Sequence, residues 1–215
     1  LAHDDAAETV RQVEASGRRA VAIEVDVRDQ RALDAALTEG VGSLGRLDVV
    51  CISAGDGPYL TAGSGTAVTV LDLPATDWQS MLDVALAGVW KTCKAAIPHL
   101  LEPRGEGGSI VLITPGRGGT GHGGHLAAAE HGLIGLMRTL AAELAPHRVR
   151  VNALTPTGPG AADVRDRGGL AEVAVFLASD EGSYLTGVTI PVPVEPHPDE
   201  PRAGSTSLTK TPEES

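Results

Sequence analysis

Residues Gly107–Pro156 read GGSIVLITPGRGGTGHGGHLAAAEHGLIGLMRTLAAELAPHRVRVNALTP. Two short apolar runs, Ser109–Ile113 and Val149–Leu154, flank a long run with apolar residues at helical spacing, Leu126–Ala145, closed by Pro146. Short, near-continuous aliphatic runs are what strands buried on both faces of a parallel sheet require. Parallel neighbours need a long crossover between them, usually a helix. The stretch therefore predicts strand, helix, strand in one parallel sheet.

The alternation continues outward. Toward the N-terminus, Leu47–Ser53 (LDVVCIS) is another buried-strand run. Thr76 and Gln79 have capping-box spacing at the head of a long helix, Trp78–His99. Between them lies a Gly- and Thr-rich loop, Asp56–Leu73. Asp5–Ser16 reads as an amphipathic helix stopped by Gly17. Ala20–Val25 is a short β-branched run, followed by an Asp-Val-Arg-Asp turn and a second helix through about Thr38. Beyond Pro156 come a short helix, Leu170–Ala178, and a last strand, Val188–Val192. Strands alternating with helices in this way predict an α/β protein with a doubly wound parallel sheet. Residues 1–193 read as one folded domain. Residues 194–215 are rich in Pro, Ser, Thr and Glu with little to bury, and are expected to form a disordered tail.

Composition narrows the partners. The net charge is −11 and no basic run occurs, which argues against nucleic acid and anionic membrane surfaces. No apolar stretch approaches the ~20 residues of a membrane span, and LAHDDAAETV is too polar for a signal peptide. Aromatics are only 2%, so the core must be aliphatic. Cys51 and Cys93 lie in apolar surroundings and make no disulfide framework, so a reduced cytoplasmic compartment is expected.

Three stretches, WQSMLDVALAGVWKTCKAAIPHLL, AAAEHGLIGLMRTLAAELAPHRVRVNALTPTG and FLASDEGSYLTGVTIPV, carry a resemblance to the short-chain dehydrogenase/reductase family. Its closest flavour is that of the actinobacterial mycofactocin-coupled oxidoreductases, and it spans Ala6 to Val192. The resemblance implies a Rossmann-like fold in which the first βαβ elements, with the Gly-rich pyrophosphate turn, would lie before Leu1. It also implies where the family's catalytic Asn, Ser, Tyr and Lys would stand: at Ala85, Pro115, Leu126 and Glu130. Leu126 carries no proton, and Glu130 reverses the charge that would stabilise a tyrosinate. General acid–base catalysis contributes a factor of ~10²–10⁴, so its loss implies a slow site.

By the same resemblance, Asp26 matches an acid that contacts the adenine amino group. Ser53, Ala54 and Gly55 match an Asn-Ala-Gly motif beside the cofactor. Each has a plainer reading, Asp26 as the cap of the turn before Asp29 and the Ser53–Gly55 segment as a strand-end turn. The stretch Thr157–Gly169 is short for the helical substrate lid of the family. Thr114 is a hydroxyl beside the vacated Ser position. His122 and His125 stand directly before the vacated Tyr position and titrate near neutrality, which suits a replacement acid or base. The plainer reading of the histidines is a solvated Gly-rich loop. Glu130 is the only nearby candidate for a further ligand, so no metal site is expected.

These readings lead to an expectation: a family member without oxidoreductase turnover, serving as a structural or regulatory partner and binding no cofactor. If it binds one, that cofactor would be NAD(H) or NADP(H). Its partner would be a second copy or a related subunit, held through helices 78–99 and 126–145 with Ala129 and Ala141 at the interface. One alternative is an NAD(P)(H)-dependent alcohol or ketone oxidoreductase with a partial or divergent sequence. Another is a lyase or isomerase that uses His122 or His125 on the same scaffold.

Overall fold

The computed structural model describes residues 3–53, 69–101, 107–116, 123–158 and 168–194. Helices α1 (His3–Ala15) and α2 (Gln30–Leu44) precede strand β1 (Val49–Ser53). Helix α3 (Ala75–Leu82), a π-helical turn (Asp83–Gly88) and α4 (Val89–Leu100) follow in one continuous run, then β2 (Gly108–Ile113). Helix α5 (Gly124–Leu144), β3 (Val149–Thr157), α6 (Gly168–Ala178) and β4 (Thr189–Pro193) complete the order. The four strands form one parallel sheet in the order β1-β2-β3-β4.

Strand periodicity divides the core between the two faces of this sheet. Ile110, Leu112, Val151 and Ala153 point toward α4 and α5, where they meet Val89, Cys93, Leu133, Met137 and Leu140. Val111 and Leu154 point the other way, into a cluster with Leu170, Leu177 and Val192 under α6. Among the described residues β1 lies at the edge, with Val50 and Ile52 buried and Val49 and Cys51 exposed. Asn152 ties β3 to the approach of β4: its Nδ2 donates to the Leu185 carbonyl at 2.9 Å, and its Oδ1 accepts from the Val188 N–H at 3.2 Å.

The predicted sheet is present, with several local corrections. Ala20–Val25 forms no strand, because it pairs with no strand of the described sheet. The Arg19 guanidinium instead donates to the carbonyls of Ser43 and Leu44, both at 2.8 Å, clamping this segment over the end of α2. Helix α2 runs past Thr38 through Gly40 and Gly42, and stops where Gly45 takes φ 103° and returns its N–H to Val41. Ile23 lies 3.7 Å from where a Gly40 side chain would begin, so packing carries the helix across residues of poor propensity.

The capping box is not made. Helix α3 starts after Pro74, which supplies no side-chain cap, and Thr76 lies inside the first turn. The helix expected over Trp78–His99 is interrupted by the π turn, a distortion that often marks functional sites. Ala129 and Ala141 are fully or almost fully buried in the chain's own core, so neither faces a partner. Helical spacing alone does not say which stripe of α5 the sheet covers.

A candidate active site at the carboxyl edge of the sheet

In open α/β sheets, ligands bind outside the carboxyl ends of the strands. At that edge β1 ends in the exposed Ser53, while β2 runs on into Thr114, whose N–H continues the ladder to the Leu154 carbonyl at 2.9 Å. Gly116, at φ 73°, then turns the chain tightly over β3. A Cβ there would lie 2.5 Å from the Pro156 carbonyl oxygen, so only glycine fits. The chain re-enters the described structure at Gly123, in the left-handed region, and starts α5 without a side-chain cap. The amino end of α5 thus stands over the ends of β2 and β3.

The four positions where the sequence departs from its family pattern gather here in two groups. Ala85, in the π turn, and Leu126, in the first turn of α5, share one small apolar cluster with Met81 and Ala129. Side chains that would have carried polar atoms have become mutual packing partners. The π turn outlasts the loss of its polar side chain, partly because its neighbours depend on its shape. Gly88 lets Val27 approach to 2.7 Å of where its Cβ would be, and Gly132 of α5 leaves room for Leu86.

The second group is polar. Glu130, one turn after Leu126, is 5% exposed, and Thr114 is 3% exposed. The Thr114 hydroxyl lies 3.4 Å from Glu130 Oε1 and 3.2 Å from Thr155 Oγ1. Nothing in the local sequence marks Thr155, 41 positions away from Thr114. Strand register holds the signal: Ile113 pairs with Leu154, so the next residue of each strand comes alongside. Pro115, beside Thr114, is buried and has no side-chain donor.

The histidine reading is divided by the structure. His122 lies outside the described residues, as do Ala54 and Gly55. His125 is not a solvated loop residue. It sits in the first turn of α5, 9% exposed, with its Nδ1 buried and without a partner among the described residues. Burial pushes its pKa below the ordinary value, and the charge of Asp77 on α3 opposes that. No cluster of His, Cys, Asp and Glu among the described residues is able to hold a metal ion.

Asp26 projects from the turn before α2. Its carboxylate accepts from the Arg28 guanidinium at 2.6 Å and from the Arg28 N–H at 2.9 Å, and Arg28 brings its pKa down to about 2. The cap of α2 is Asp29, which accepts from the N–H groups of Arg31 and Ala32. Lys91 donates to the Arg28 carbonyl at 2.6 Å and pins this turn onto α4. Asp26 therefore remains an oriented, exposed, ionised acceptor, and Ser53 an exposed hydroxyl at the tip of β1. An exposed acceptor for an amino group and a hydroxyl suit the adenosine half of a dinucleotide. Among the described residues no helix is long and apolar enough to cross a membrane.

Comparison with known proteins settles the ancestry. A model of the short chain dehydrogenase family matches residues 2–166. The (-)-trans-carveol dehydrogenase of Rhodococcus erythropolis is 37% identical over 88% of this chain and 79% of its own length. Carveol dehydrogenase from Mycobacterium avium, solved in complex with NAD, is 37% identical with a TM-score of 0.75, covering 89% of this chain and 79% of that one. A short chain dehydrogenase from Mycobacterium paratuberculosis, bound to NAD, is 33% identical with a TM-score of 0.76, covering 88% and 78%.

These likenesses overturn the expectation of a structural or regulatory partner without oxidoreductase turnover. The similar proteins are dehydrogenases, and NAD in two solved relatives supports NAD(H) as the cofactor of the family. The physical reason for the correction is that losing four side chains does not empty the edge of the sheet. A buried hydroxyl, a carboxylate and an imidazole remain there, at Thr114, Glu130 and His125. The chain belongs to the short chain dehydrogenase family.

Proposed function

We propose that this protein is an NAD(H)-linked oxidoreductase that interconverts a small secondary alcohol and its ketone, with a cyclic terpenoid alcohol such as carveol as the model substrate. The observation that carries the reading is the 37% identity and 0.75 TM-score to a carveol dehydrogenase in complex with NAD, across most of both chains. Asp26 would receive the adenine amino group and Ser53 a ribose hydroxyl. When bound, the oxidised nicotinamide supplies the acceptor for the electron pair and hydrogen leaving the alcohol carbon.

The chain's own residues set the rest. Met81, Ala85 and Leu126 are buried against one another with Leu82 beside them, and this apolar packing next to the strand ends suits a hydrocarbon substrate. The family's usual proton-carrying side chains are absent at Ala85, Pro115, Leu126 and Glu130, so the hydroxyl proton of the substrate passes to other groups. A redox partner of the mycofactocin-coupled kind, which the sequence resemblance implies, belongs to the same reading. Assembly with a second copy or a related subunit through helices 78–99 and 126–145 is part of the same reading. The exposed Trp90 of α4, with Lys94 over its ring at 5.4 Å, supports it.

The test is oxidation of carveol with NAD⁺, followed by the appearance of reduced nicotinamide. Turnover above ~1 s⁻¹, the lower end of the usual enzyme range, is expected. No reduced nicotinamide above an enzyme-free control, across a panel of cyclic and acyclic secondary alcohols, would sink the reading.

A further inference from the structure

We propose that Thr114 and Glu130 form the proton-transfer pair of this site. Thr114 Oγ1 exchanges a proton with the substrate oxygen, and Glu130 Oε1 takes the proton up on alcohol oxidation and releases it to solvent before the next turnover. This rests on the oxidoreductase reading and deepens it.

Placement comes first. Thr114 continues the β2 ladder, and the turn at Gly116 fixes the backbone immediately after it, so its hydroxyl has little freedom. By strand parity it shares the α5 side of the sheet with Leu112, and Glu130 reaches it from α5. The 3.4 Å separation from Glu130 Oε1 is long for a hydrogen bond between oxygens. Catalytic hydrogen bonds are often long before substrate binds and tighten in the complex. Thr155, 3.2 Å from the same hydroxyl, offers a second oxygen on which its proton can rest.

Chemistry comes second. A threonine hydroxyl both donates and accepts, so it passes a proton without net change. A carboxylate is a sink for that proton. Around this pair, Ala85, Pro115 and Leu126 have no side-chain proton to give. His125, the remaining titratable group in the first turn of α5, lies within the field of Asp77 on α3. Among the described residues, Thr114 is in contact with Thr155 and Glu130 at the strand ends.

As the alcohol is oxidised, a bound oxidised nicotinamide would supply the acceptor for the carbon-bound hydrogen and its electron pair, and the carbonyl double bond would form. The alcohol O–H bond breaks and its proton goes to Thr114 Oγ1, while the proton of Thr114 passes to Glu130 Oε1. Thr114 ends as it began, Glu130 ends as a carboxylic acid, and it then releases the proton to solvent. Ketone reduction runs the same path in reverse. Thr114 is the catalytic residue here; Glu130 acts through it.

Two readouts test the pair. Glu130→Gln, nearly isosteric, and Thr114→Val are each expected to lower kcat for carveol oxidation by ~10²-fold, the lower end of the acid–base contribution, with KM little changed. Thr114→Ser, which restores a hydroxyl, is expected to recover most of that rate. The second readout needs no turnover. Infrared difference spectra are recorded when trifluoroethanol, an alcohol resistant to oxidation, is added to the protein with NAD⁺. A carboxylic-acid C=O band should appear, vanish in Glu130→Gln and weaken in Thr114→Val. Thermal melts of each variant establish that it is folded.

Turnover that survives both substitutions, with no Glu130-dependent band, overturns the pair and leaves the oxidoreductase reading standing. A Glu130-dependent band without turnover of any alcohol supports the pair and overturns that reading. Neither turnover nor band overturns both.

Discussion

Two successive turns at the foot of α5 make an instructive contrast. In the first turn Leu126 packs with Met81, Ala85 and Ala129 into a small apolar cluster. One turn on, along the same face, Glu130 meets Thr114, which also meets Thr155. Both turns contain positions where the chain departs from the family pattern. Two departures became complementary packing, and the neighbouring ones left a hydroxyl and a carboxylate in contact. A missing catalytic side chain therefore says little until its replacement has been placed in space.

The contrast is best broken on its apolar side. Leu126→Ala should cost about 2–3 kcal/mol, the low end of the range for buried leucines, because the cluster is small and lies at the edge of the sheet. Urea unfolding measures this, and a loss below ~1 kcal/mol would show that the cluster contributes little. The polar side should respond less. Thr114→Val keeps the volume but removes the hydroxyl between Glu130 and Thr155, with an expected cost of ~1 kcal/mol. A larger loss than Leu126→Ala in the same assay would reverse the comparison.

The smallest effect belongs to His125, whose folded-state pKa burial depresses below the ordinary 6.5. A depressed value means that folding favours the neutral ring. The resulting stability is complete above pH 6.5 and is lost as acidification passes through the lower folded-state value. Titration of the ring proton by NMR should give a midpoint below 6.5, and His125→Gln should flatten this part of the pH dependence. A midpoint at or above the ordinary value would return His125 to the solvated-loop reading.

Particular residues show how far the sequence could be read. The strands at Leu47–Ser53, Ser109–Ile113 and Val149–Leu154 were legible because their aliphatic runs stay apolar throughout, although β1 buries only alternate residues in the structure. In the structure they appear as β1, β2 and β3, with β3 extended to Thr157. Thr114 and Glu130 were each legible as isolated candidates, one beside the vacated Ser position and one at the Lys position. Their contact was not, and Thr155 went unnoticed, since nothing local to it distinguishes it from any other strand-end threonine. The glycines before His125 predict a solvated loop, yet the helix begins at once and carries the ring inward.

The sequence by itself determined the alternation of strands and helices, the parallel sheet and the family, because apolar periodicity and long motifs are properties of neighbouring residues. Only the tertiary structure decided that the run at Trp78–His99 breaks into a π turn, that Ala129 and Ala141 face inward, and that Thr114, Thr155 and Glu130 meet. Those outcomes depend on strand register and on which helical stripe meets the sheet. Both are fixed by contacts between residues far apart in the chain, which no local pattern encodes.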